Sequence, residues 1–288
     1  MIWQYALLIL AVINIASVIL SKVATDSAPK KANGIFYQYL FCAIIAIFLY
    51  VFSGNNDPGP MLIWVGIVGL INAFGNYFQW RAFEISLSRS VLFLPLMEVW
   101  AVLLAIIFLK EGSLWNFQMI LGAGLCFMAM WLFRLPKNDN GKKSSLDKKW
   151  LFYTLGMVMI FGTASFLLKV FSYTVNRETF LMAWYGGAFL GSIPILMLEK
   201  QNPLKVSKKT LMIVLPLSLA IIGSLFALYW TYQLGGPISL VSPLKGVLVT
   251  TIPIIVGWFL FKEKKSLSKA EKLGFLAGVA GIILILLR

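Results

Sequence analysis

Residues 72–130 read NAFGNYFQWRAFEISLSRSVLFLPLMEVWAVLLAIIFLKEGSLWNFQMILGAGLCFMAM, and the pattern returns later in the chain at a constant offset of 152 positions. Tyr77 comes back as Tyr229, Ser90 as Ser242, Leu92 as Leu244 and Leu96 as Leu248. Lys110-Glu111 comes back as Lys262-Glu263, and Leu121-Gly122 as Leu273-Gly274. Both Lys-Glu pairs sit where one long apolar run ends and another is about to start. Self-similarity at a fixed offset fixes the architecture before any local reading does: a half of roughly 150 residues has been duplicated.

Working outward, 60% of the 288 residues are hydrophobic and 12% charged, with a mean hydropathy of +0.86. A soluble chain of this length needs far more polar surface, so the sequence reads as an all-α integral membrane protein. Cys42 and Cys126 both fall inside apolar runs and read as small buried hydrophobes, not as a disulfide or metal framework. The net charge of +14 comes from Lys and Arg that flank apolar runs, the signature of membrane orientation, and nucleic acid is excluded as a partner. The first run begins without a basic segment and continues to Leu20, so it reads as a retained span.

Ten runs are long enough to cross a hydrocarbon core of about 30 Å. In a first repeat, residues 1–135, they are Trp3–Ser21, Ile35–Ser53, Met61–Phe83, Ser88–Leu109 and Trp115–Arg134. In a second repeat, residues 150–288, they are Trp150–Phe171, Thr179–Leu198, Thr210–Gln233, Ile238–Phe261 and Glu271–Leu287. Residues 136–149 are polar, lack an apolar period and form the linker. Five spans per half is odd, so the second copy enters the membrane from the opposite side, giving ten transmembrane helices as two inverted five-helix repeats. Sorting the basic residues leaves only Lys110, Arg177 and Arg288 on one side against twenty on the other. The linker is therefore expected in the cytoplasm and both termini outside, in a cytoplasmic (plasma or inner) membrane.

Polar residues at helical spacing inside such runs must face protein or a wet cavity. Asn72, Asn76 and Gln79 share one face of span 3, and Asn14, Ser17 and Ser21 one face of span 1. Ser224 and Thr231 in span 8 and Thr163, Ser165 and Ser172 in span 6 are their counterparts. Interhelical hydrogen bonding is the plainer reading of single Ser and Thr residues; the amide stripe is costlier to bury and points more strongly to a cavity. Spans 5 and 10 carry small residues such as Gly122, Gly124, Gly274, Gly278 and Gly281, which close packing explains.

The segment Phe161-Gly162-Thr163-Ala164-Ser165-Phe166-Leu167-Leu168-Lys169 resembles the Trp-Gly-x-Ser-Phe-x-x-x-Lys start of a repeat in the drug/metabolite transporter superfamily, EamA type, with Phe161 in place of Trp. Asn14 to Lys22 is a weaker version. Phe108-Leu109-Lys110-Glu111 with Gln118 and Gly122 resembles the family's Leu-Gly-Glu followed by Gln and Gly, and Lys262-Glu263 with Gly274 repeats it. Lys stands in both copies where the family has Gly. The resemblance implies a secondary transporter, usually an exporter, with a central cavity lined by spans 1, 3, 4, 6, 8 and 9 and with spans 5 and 10 outside it.

Among the charges, Lys169 is expected to snorkel to the outer surface, and Arg81, Glu84 and Arg89 to mark the cytoplasmic side. Glu98 and Lys245 cannot reach water so easily, and each costs roughly 3 kcal/mol to insert at mid-depth. Helical rise places them within about 5 Å of the same depth on spans 4 and 9. They could pair when the site is empty and separate around a zwitterion, Glu98 taking the ammonium and Lys245 the carboxylate; a carbonyl freed by Pro95 or Pro243 is the structural alternative. The expected substrate site therefore comprises Glu98, Lys245, Asn14, Asn72, Asn76, Gln79, Tyr77, Thr163, Ser224, Tyr229 and Trp230. Its occupant is a small amphipathic metabolite, an amino acid or related zwitterion being favoured over a drug, amine or nucleobase, with proton coupling and a monomer or homodimer both open. There is no histidine and all four aspartates fall in expected loops, so no enzyme, metal or cofactor is read. A non-transporting scaffold or receptor is the alternative function.

Overall fold

The computed structural model describes residues 2–27, 31–54, 59–91, 93–110, 117–134, 148–204, 206–239, 241–242, 245 and 269–286. These residues form nine helices and no strand: α1 (Ile2–Ser27), α2 (Lys31–Ser53), α3 (Leu62–Val91), α4 (Leu94–Leu109), α5 (Phe117–Arg134), α6 (Lys148–Phe171), α7 (Arg177–Leu198), α8 (Lys208–Gln233) and α9 (Lys269–Leu286). The last of these covers the tenth expected span. Most of the ninth, with Lys262 and Glu263 beyond it, lies outside the described residues, as do Glu111 and residues 136–147 of the linker, whose last two residues begin α6.

Local chemistry sets the ends. Proline in the first turn of α4 loses no helical hydrogen bond there, and α4 stops at Lys110, whose left-handed backbone (φ 55°) turns its N–H onto the Ala105 carbonyl. Ser207 caps α8 by accepting from the Thr210 N–H at 3.1 Å. Beyond the other end of α8, Gly235 takes a φ of 87° that a side chain would resist.

Among the described residues, five helices are long and apolar enough to cross a membrane: Lys31–Ser53, Leu62–Ile85, Lys148–Phe171, Arg177–Leu198 and Lys208–Gln233. Large apolar side chains such as Phe52, Ile63, Met197 and Met212 point outward, while Gln38, Asn76, Glu98 and Lys169 are buried. Water would penalise both arrangements, whereas lipid favours them, and together they point to a membrane protein.

The two halves interlock. α1 packs on α8, α2 on α7 and α8, α3 on α6 and α7, α4 on α6, and α5 on α9. The α3–α7 crossing is backbone against backbone. A Cβ on Gly69 would overlap the Trp184 carbonyl, one on Gly187 the Gly66 carbonyl, and one on Gly191 the Leu70 carbonyl. Small residues are what let two membrane helices approach so closely.

Two expectations change. The turn expected between Phe83 and Ser88 is not a loop: α3 stays helical to Val91, yet Ser90 Oγ donates to the Ala82 carbonyl at 3.0 Å. Eight residues of straight helix would separate the two by about 12 Å, so α3 bends sharply where the turn was expected. Lys169 does not reach the surface. It is 3% exposed, and its Nζ donates to the carbonyls of Gly236 at 3.1 Å and Tyr232 at 3.3 Å, between the rings of Tyr173 and Tyr232. The C-terminal end of α8 presents carbonyls without helical partners, and a cation satisfies them better than a longer reach to water would.

Candidate functional site

The helices border a partly open cavity of about 250 Å³. α1 lines it with Asn14, Ser17 and Ser21, and α3 with Asn72, Asn76 and Gln79. Each set recurs at three or four residues, so the helical period turns it to one side. From the second half come Phe161, Ala164 and Ser165 of α6, Trp184 and Tyr185 of α7, and Ser224 of α8. Lys245 also lines it.

Lys245 Nζ lies 2.7 Å from Glu98 Oε1. Glu98 is 5% exposed, and its second oxygen, Oε2, has no hydrogen-bond partner among the described residues. A charge so deeply buried persists when an opposite charge touches it, and this contact supplies one. The carboxylate is seated through its neighbours. Gly162 of α6 lies under the Met97 carbonyl, where a Cβ would come within 2.7 Å, and Trp100 Nε1 donates to Thr163 Oγ1 at 3.0 Å.

The polar wall is partly knitted together. Ser224 Oγ donates to Asn14 Oδ1, and Ser17 Oγ donates to the Asn14 carbonyl at 2.8 Å. Asn72 Nδ2 donates to the Tyr39 hydroxyl at 3.4 Å.

Glu98 is not itself on the cavity wall and meets it through Lys245, and four other expected residues stand elsewhere. Thr163 uses its hydroxyl on Trp100 and is not part of the cavity wall. The Tyr77 hydroxyl donates to Glu199 Oε1 and accepts from Arg81 Nε. Tyr229 is fully buried, its hydroxyl at the carbonyls of Phe171 (2.9 Å) and Val175 (2.7 Å) and its ring stacked on Phe180. Trp230 sits near the Arg177 guanidinium, 5.9 Å from its ring centre. A phenol needs a partner for its hydroxyl when buried, and Tyr77 and Tyr229 find theirs away from the cavity.

The reverse also occurs. Gln38 and Tyr39 of α2, with Trp184 and Tyr185 of α7, line the cavity although neither span belongs to the expected set. Gln38 had a signal: it is the lone amide within the apolar body of its span.

Around Tyr77 a charged cluster ties three elements. Arg81 pairs with Glu199 beyond the end of α7 and with Glu84 at 3.0 Å, and Glu84 meets Lys31 of α2 at 3.8 Å. Burial would raise the Glu199 carboxyl, but the hydrogen bonds from Tyr77 and Arg81, with the Arg81 charge, outweigh it and hold the carboxyl below its ordinary value. Among the described residues, no three of His, Cys, Asp and Glu are grouped to hold a metal.

No protein-family model matches the chain, and no curated protein matches it. A solved structure called "Crystal structure of protein" is similar in fold, with a TM-score of 0.68 over 99% of this chain and 96% of that one, at 15% identity. At that identity the likeness carries the fold alone.

Proposed function

We propose that this chain is a ten-span secondary transporter of the cytoplasmic membrane, of the EamA-type drug/metabolite transporter kind its motifs resemble. It moves a small amphipathic metabolite, an amino acid or related zwitterion, most simply outward, by alternating access between two inverted repeats. The observation that carries this reading is the Glu98–Lys245 pair, whose lysine lines a polar cavity to which both halves contribute. Two charges buried beside a space of about 250 Å³ suit a ligand bearing the same two charges in reverse. Glu98 then takes the ammonium and Lys245 the carboxylate, and binding separates the pair.

Packing supports the inversion. Gly66 meets Gly187 and Leu70 meets Gly191, so α3 runs parallel to α7; Gly75 meets Ile160 and Phe78 meets Gly156, so α3 runs against α6. That is the sense expected when each helix crosses once and each half holds an odd number of spans. The α1–α8 and α3–α6 contacts also exchange when the halves are swapped, as do α2–α8 and α3–α7. The α5–α9 contact maps onto itself, consistent with a peripheral pair.

Purified protein in lipid vesicles, challenged with a panel of amino acids, amines and nucleobases, tests the reading. Saturable flux of a zwitterion, lost in both Glu98→Gln and Lys245→Met and losing any pH dependence in Glu98→Gln, is the expected result. No saturable flux of any solute favours the scaffold or receptor; normal flux in both variants moves the site elsewhere. Reporter fusions after Arg288 should read as exterior and those within Gly141–Ser145 as cytoplasmic.

A further inference from the structure

Lys245 and Glu98 form one ion pair but meet the cavity unequally. Lys245 lines it with 15% of its side chain exposed, whereas Glu98 is absent from the wall and its side chain is 6% exposed. Among the described lining residues, Lys245 is the one that carries a charge; the rest are apolar, aromatic, amide or hydroxyl. The remainder of its span adds no other, since residues 246–261 hold neither acid nor base. A solute entering the cavity therefore meets a cation, with the counter-charge behind it.

The two partners also differ in freedom. On either side of Glu98, Trp100 is bonded to Thr163 and the Met97 carbonyl is seated on Gly162, so a shift of α4 toward the cavity would break both contacts. Lys245 carries its charge on a flexible four-carbon stem. An ammonium has three N–H donors, so Lys245 can keep Glu98 Oε1 at 2.7 Å and still offer a donor to a solute. Glu98 Oε1 is taken by Lys245, and Oε2 is buried without a hydrogen-bond partner among the described residues. The carboxylate comes within a solute's reach when Lys245 moves aside, and it then needs a second cation, because a lone buried charge is costly.

We infer that recognition is ordered: Lys245 selects the solute's carboxylate first, and Glu98, a positioning residue in the empty site, takes the ammonium only after Lys245 has turned to that carboxylate. This rests on the transport reading of the cavity. A carboxylate that lacks an ammonium can complete the first step, through the donors Lys245 presents. An amine that lacks a carboxylate meets a like charge and finds its partner covered. A zwitterion completes both steps and gains the second ion pair.

Matched trios read the order: alanine, propanoate and ethylamine; leucine, 4-methylpentanoate and 3-methylbutylamine; phenylalanine, 3-phenylpropanoate and 2-phenylethylamine. Calorimetric titration of the full purified chain should give affinities that fall from amino acid to acid to amine, by about tenfold at each step, in each trio whose amino acid binds. Glu98→Gln should keep the acid and bring the amino acid down to the acid's affinity. Glu98→Gln combined with Lys245→Met, which leaves no single charge buried, should bind neither. An amine that binds wild type as tightly as its acid overturns the order and leaves the charged site standing, and this ranking decides the matter even where a variant fails to fold. An acid lost in a folded Glu98→Gln protein, or kept in the double variant, also overturns it. Failure of all three amino acids to bind overturns the zwitterion reading and the order with it.

Discussion

Trp100 gives its indole N–H to the Thr163 hydroxyl, which pins α4 to α6 two residues beyond Glu98. Gly162, one residue earlier on α6, leaves room for the Met97 carbonyl one residue before Glu98. Thr163→Val should therefore cost about 1 kcal/mol by stranding a partly buried N–H, and Thr163→Ser should restore most of it. Gly162→Ala should cost about 1–3 kcal/mol by overpacking. Thermal unfolding of purified protein measures both, and an unaltered midpoint in Thr163→Val would remove the pin.

Gly186 and Gly187 are neighbours with opposite expectations. A Cβ on Gly186 meets nothing within 4 Å, whereas one on Gly187 strikes the Gly66 backbone. Gly186→Ala should leave stability unchanged or raise it by about 0.5–1 kcal/mol, through helix propensity. Gly187→Ala should lower it by about 1–3 kcal/mol, because the obstacle is backbone and cannot rotate away. Equal midpoints in the two variants would contradict the close crossing of α3 and α7.

The Glu199 carboxylate makes the Arg81 contact pH-dependent in a defined direction. Its folded pKa lies below its ordinary value, so its stabilisation is complete above the unfolded carboxylate pKa, about 4.3, and is lost as pH falls through the lower folded value. Glu199→Gln should be less stable than wild type by about 1 kcal/mol at pH 7, a partly exposed pair being worth little more. The two unfolding midpoints should converge on acidification below about pH 4. A gap that stays constant into strong acid would assign the loss to packing instead of charge.

Lys169→Met should uncover the carbonyls of Tyr232 and Gly236 and cost about 1–3 kcal/mol, although methionine fills the apolar part of the space. Hydrogen exchange at the α8 end, near Gln233 to Gly236, should quicken in the variant. Unchanged exchange there would mean that the turn holds itself.

How much of this was legible follows from what each residue needs. Helix bounds were readable where charge or turn residues interrupt an apolar run: α7 spans Arg177–Leu198 against an expected start at Thr179, and α2 ends at Ser53 as expected. The period of 3.6 brought Asn72, Asn76 and Gln79 to one wall, and depth arithmetic brought Glu98 and Lys245 within reach of each other. α1 runs on to Ser27, so Asp26 is helical and not in a loop. Tyr77, Tyr229 and Thr163 escaped the reading because their hydroxyls are claimed by partners far off in sequence or on another helix. Glu199 is 122 positions from Tyr77, and a periodic pattern holds no record of it. Lys169 escaped for the same reason, since depth along α6 says nothing of which helix end lies beside it.

The interlocking of α3 with α6 and α7 has a bearing on biogenesis. Chains are made from the N-terminus at about 5–20 residues per second, so on the order of 10 s separates completion of α3 from that of α8. During that interval Asn14 lacks Ser224 and Gly66 lacks Gly187, and the amides of α3 stand in lipid or against the translocation machinery with no second half to meet. Slowing elongation after residue 134 should therefore expose the nascent first half to membrane quality control, and chains halted there should be degraded faster than chains released at full length.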